Sequence, residues 1–147
     1  MKWRKECWLD LGISLNTNSH FGQWVTIQLV HHHFHLTQAG GIIEVGADQS
    51  TDTATLTQIR DHLRTISHEF AKGVFTSPVS THAEVPPGVG VMGERKTRIS
   101  YTYKETTSGG QVIIATKDKT ARTAVHEFLK YQIHEHATGD PLTTVKN

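Results

Sequence analysis

The chain has 147 residues, the commonest size for one domain, and with 36% hydrophobic residues, 20% charged residues and a formal net charge of +1 it reads as a folded soluble protein. So even a charge balance leaves no electrostatic footprint for nucleic acid, and no run of apolar residues reaches the roughly 18 that a membrane span requires. Cys7 is the single cysteine, so no intrachain disulfide and no thiolate-rich metal site can form; a metal would sit on nitrogen and oxygen, and the 11 histidines are the unusual supply.

Residues 1–30 read as an N-terminal extension distinct from the remainder of the chain. They hold Trp3, Trp8, Trp24 and Cys7, and neither tryptophan nor cysteine recurs later. Lys2, Arg4 and Lys5 could open a signal peptide, but Asp10 interrupts the apolar stretch and the polar run Asn16 to His20 ends it. An added strand, a degenerate leader and sequence upstream of the natural start all remain open.

From residue 31 to 147 the pattern predicts a single α+β domain. HFHLTQAGGIIEV alternates around a turn at Gln38, Ala39 and Gly40, as a β-hairpin does. A helix comes next, capped by Thr51, Asp52 or Thr53, with Leu56, Ile59, Leu63, Ile66 and Phe70 at 3,4,3,4 spacing until Gly73. About residues 74–95 read as a long irregular loop with three prolines, the kind of segment that in compact domains is usually functional. Then RISYTYKETTSGGQVIIAT predicts a second hairpin, and Lys119 to His136 a second helix with Ala121, Val125, Phe128, Gln132 and His136 on one stripe, ended by Gly139 and Pro141.

The second half repeats the first. Gly40-Gly41 aligns with Gly109-Gly110, and IRDHLRTISHE with VHEFLKYQIHE, which predicts a duplicated ββα unit: repeat 1 at about 31–73 and repeat 2 at about 96–139. The expected product is a four-stranded antiparallel sheet with two helices on one face.

That alignment makes each half a control for the other. His32 aligns with Tyr101, His62 with Phe128 and His136 with Phe70, so three histidines stand at core-facing positions where the other half carries an aromatic. A buried imidazole must satisfy two ring nitrogens, and coordination of a metal by the neutral ring is one way to do so; a hydrogen bond to a carbonyl or carboxylate is the plainer one. His31, His33 and His35 alternate to the opposite face, where His33 faces Glu44 and side chains two apart could hold a surface metal. His82 lies in the long loop beside Glu84, and His126 on the polar face of the second helix, with His134 and His68 read as solvated. HExxH, GxSxG and Walker A patterns are absent, and GVGVMG lacks the strand-to-helix setting of a dinucleotide site.

From HHHFHLTQAGGIIEV through IRDHLRTI, FTSPVSTHAEVPPGVGVM and VHEFLKYQIHEHATGD, over about residues 31–143, the chain resembles a family of small histidine-containing bacterial proteins that brings no established activity with it. In that family's pattern HHHF, the histidines matching His62 and His82, and the pair matching His126 and His136 recur. Many members are exported, which implies a periplasmic location; without a signal peptide the location would be cytoplasmic. Some relatives carry the label aspartate carbamoyltransferase, but this chain has neither the Ser-Thr-Arg-Thr nor the His-Pro motif of that enzyme and about half its length.

The sequence therefore leads to a metal-binding protein, for copper or zinc, with ligands among His32, His62, His82, His136, His33 and His126. The alternatives are a small enzyme with His62 or His82 as general base, and an interaction module with satisfied core histidines that pairs into a homodimer through its helix-free sheet face.

Overall fold

Two glycine pairs decide how closely the layers meet. The computed structural model describes residues 30–49, 51–76 and 83–146, and within them β1 (Val30–Leu36) and β2 (Gly40–Ala47) form one hairpin, β3 (Ile99–Thr106) and β4 (Gly109–Thr116) another. A Cβ on Gly40 would stand 2.3 Å from the carbonyl oxygen of Ile114, and one on Gly109 2.2 Å from that of Val45, so both glycines permit the central strands β2 and β4 to pair. Their neighbours Gly41 and Gly110 lie under the helices: a Cβ would fall 2.1 Å from Leu129 Cδ1 in the first case and 3.1 Å from Leu63 Cδ1 in the second. The sheet is antiparallel throughout, in the order β1-β2-β4-β3.

The hairpins share one register. His32 pairs with Val45 as Tyr101 pairs with Ile114, and Phe34 with Ile43 as Tyr103 with Val112. Period-two alternation then puts Phe34, Leu36, Ile43, Val45, Val112 and Ile114 in the core, with Tyr103 half-buried at its edge.

Helix α1 (Thr53–Ala71) starts at Asp52, whose carboxylate accepts the Thr55 N–H at 3.1 Å; α3 (Lys119–His136) starts at Asp118, which accepts that of Ala121 at 2.9 Å. Both bury an apolar stripe on the same sheet face, but α1 lies chiefly over β3 and β4, and α3 over β1 and β2. Each helix thus covers the other hairpin, which brings His136, at the end of α3, over His32 in β1. α3 stops ahead of Gly139, at Ala137, which takes the left-handed conformation (φ 49°).

One expectation needs correction. The predicted irregular loop of residues 74–95 contains a short helix, α2 (Val89–Glu94), which buries Val89 and Met92; it docks on α3 where Gly88, at φ 84°, lies so close that a Cβ would come within 2.1 Å of the Ala124 carbonyl oxygen. The outer edge of β1 is covered. The tail beyond α3 runs along it: Asp140 Oδ2 accepts the Phe34 N–H at 2.9 Å, Val145 N–H donates to the Leu36 carbonyl, and Thr37 and Val145 form a parallel bridge. Among the described residues no helix is long and apolar enough to cross a membrane.

Candidate functional site

Four polar side chains converge at one end of the helix layer. His32 projects from β1 toward the helices, and its ring centre lies 5.0 Å from that of His136, with the planes tilted by 41°. Phe34 floors the pair, 5.4 Å from His136 and parallel to His32 at 6.1 Å. Gln132, one turn before His136 on α3 and itself buried, accepts a hydrogen bond from His136 Nε2–H at 3.1 Å, which puts the neutral ring's lone pair on Nδ1. His62, on α1, is near enough for its charge to act on His32.

The same place in the other half is aromatic. There Phe70 meets Tyr101 edge-on at 5.7 Å and Phe128 at 6.0 Å, and Ile66 stands where Gln132 does. His32, His62, Gln132 and His136 thus stand at the positions that Tyr101, Phe128, Ile66 and Phe70 take when the two halves are aligned. Burial fixes the charge state. Loss of solvent contact, aided by the neighbouring His136, His62, His31 and His33, holds the His32 imidazolium pKa well below its usual 6.5, and burial takes that of His62 down to about 4. Both rings are neutral at pH 7, the form that binds a metal.

Geometry is a further test. Two imidazoles on one ion stand with ring centres roughly 3.2 Å from the metal, so a 5.0 Å separation corresponds to an angle of roughly 100° at the ion, close to tetrahedral. Among the described residues no three His, Cys, Asp or Glu side chains form a ready-made metal cage. His62 would have to turn toward the pair to complete one.

The remaining sequence candidates lie elsewhere. His126, half-buried, donates its Nε2–H to the Thr37 carbonyl at 2.9 Å, as Arg60 donates to that of Thr106 in the other half, so both fasten a helix to a hairpin turn. His33 points to the opposite side of the sheet, where its Nδ1–H donates to Asp140 at 2.9 Å. His82 lies outside the described residues. Sequence reasoning missed Gln132 as part of the site, although an amide on an apolar helical stripe demands hydrogen-bond partners and was visible as such.

What these features define is a class: an α+β domain of two hairpins and two long helices, with a histidine-lined interior in one half and an aromatic one in the other. No family model, curated protein or solved structure matches the chain.

Proposed function

We propose that the chain binds a zinc or copper ion in its interior through His32 and His136, with His62 as third ligand and His82 as the fourth that the sequence offers. The observation that carries the reading is the 5.0 Å pairing of two imidazoles where the other half packs Tyr101 against Phe70. A core that can be filled by aromatics, as Tyr101, Phe70 and Phe128 fill the other half, has no packing need for imidazoles. Gln132 supports the site by orienting His136, the outer-shell role that metal-bound histidines usually require. The resemblance to exported bacterial proteins favours a periplasmic setting for this function.

An enzyme using His62 as general base fits less well. A base works best with a pKa near the working pH, and burial takes His62 down to about 4. Pairing of two chains through the helix-free face belongs to the same proposal only as an assembly state, readable by analytical ultracentrifugation.

The test is calorimetric titration of the metal-free protein with zinc and with copper. One interior equivalent should be lost in His32→Tyr and His136→Phe, variants that install the other half's residues, and kept in the exposed control His134→Ala. Unchanged binding in both interior variants, or none in a folded wild type, overturns it.

A further inference from the structure

The opposite face of β1 carries a second arrangement of imidazoles, independent of the interior one. His31 and His33 stand side by side with ring centres 5.7 Å apart, and each is partly open to solvent, at 38% and 43% side-chain exposure. Each donates its Nδ1–H to a carboxylate from outside the strand, His31 to Asp48 and His33 to Asp140, both at 2.9 Å. A neutral imidazole so held carries its lone pair on Nε2, and the carboxylate on Nδ1 fixes the ring's orientation. A carboxylate holding the Nδ1–H of an imidazole is the outer half of a metal–histidine site, built here twice on neighbouring rings.

The strand opposite is shaped to match. Gly46 faces His31 in the pairing, and a Cβ there would come within 2.5 Å of His31 Nε2, so the ring lies over β2 in space that only glycine leaves. Glu44, next along the same face of β2, stands opposite His33. With each ring centre roughly 3.2 Å from a bound ion, a 5.7 Å separation corresponds to roughly 125° between the two nitrogens, within reach of tetrahedral coordination by a small rotation of either ring.

We infer that the Nε2 atoms of His31 and His33 form a surface site for a divalent transition-metal ion, with Asp48 and Asp140 as its outer shell, Glu44 at its side and water in the remaining positions. Nitrogen donors of this kind bind copper(II) most tightly among the first-row ions, so copper(II) is the ion to try first. The site does not depend on the interior proposal, since it shares no ligand with it and lies on the other side of the sheet.

The experiment is copper(II) titration of the full chain, monitored by calorimetry and by electron paramagnetic resonance, in a His32→Tyr/His136→Phe background where the interior pair is gone. The result expected is one copper with nitrogen hyperfine structure from two imidazoles, lost in His31→Gln and in His33→Gln. Asp48→Asn should weaken binding about tenfold, and Gly46→Ala should weaken it without removing a donor. His35→Gln, whose ring is 6.1 Å from that of His33, should leave it in place. Binding that survives both His31→Gln and His33→Gln in folded protein overturns the inference, as does a loss in His35→Gln equal to theirs. Failure of the interior site would appear separately, as loss of the equivalent that His136→Phe should abolish in otherwise wild-type protein.

Discussion

Replacing His62 with phenylalanine, the residue at the matching place in the other half, should make the protein less sensitive to acid. In the metal-free folded state His62 resists protonation down to about pH 4, whereas in the unfolded chain it takes up a proton near pH 6.5. Below pH 6.5 the unfolded state therefore binds more protons, and stability falls by up to about 1.4 kcal/mol per pH unit until the folded value is reached. Between pH 7 and pH 5 this amounts to about 2 kcal/mol from His62 alone. The carboxylates held low by their hydrogen bonds, Asp52, Asp118 and Asp140, lose their contribution chiefly below their usual 3.8 and so act outside this window. The assay is urea unfolding of wild type and His62→Phe with chelator at pH 7 and at pH 5. Any packing change from the larger ring is the same at both pH values and cancels in the difference. The variant should lose about 2 kcal/mol less than wild type, with the remaining sensitivity due mainly to His32. Equal losses in the two proteins would refute a buried, neutral His62.

His126→Ala should cost about 1–2 kcal/mol in urea unfolding, because it leaves the Thr37 carbonyl without its donor, and metal binding should not change. Asp140→Ala removes the acceptor for both His33 and the Phe34 N–H; hydrogen exchange at the Phe34 amide should then accelerate markedly while β2 and β4 amides keep their protection. Met92→Ala should lower stability by about 2–5 kcal/mol, visible as a large drop in Tm, since Met92 is the fully buried side chain by which α2 joins the core. A loss below about 0.5 kcal/mol would mean that α2 does not form part of the core.

The sequence made the two hairpins and both long helices legible because their signals are periodic. Alternation around Gly-Gly turns and the 3,4 spacing from Leu56 to Phe70 are local, and Asp52, one of the cap candidates, opens the first helix. Alignment of the two halves also singles out His32, His62 and His136 without knowledge of any contact. Other features carry no period. α2 is six residues with two glycines, held by packing of Met92 and by the tight approach of Gly88 to α3, neither of which leaves a repeating pattern. The tail along β1 depends on a single aspartate and one bridge, and the role of His126 comes only from the crossing of α3 over the first hairpin. That crossing, which sets each helix on the other half's strands, is a tertiary choice, and it is what brings His136 to His32.

The most direct test of the interior site is anomalous diffraction at the zinc and copper absorption edges from crystals grown with one equivalent of metal. The account predicts a peak within about 2.1 Å of a ring nitrogen of both His32 and His136, with His62 turned toward it. Well-ordered crystals in which these three rings keep their metal-free arrangement, and in which the metal sits elsewhere, would contradict it.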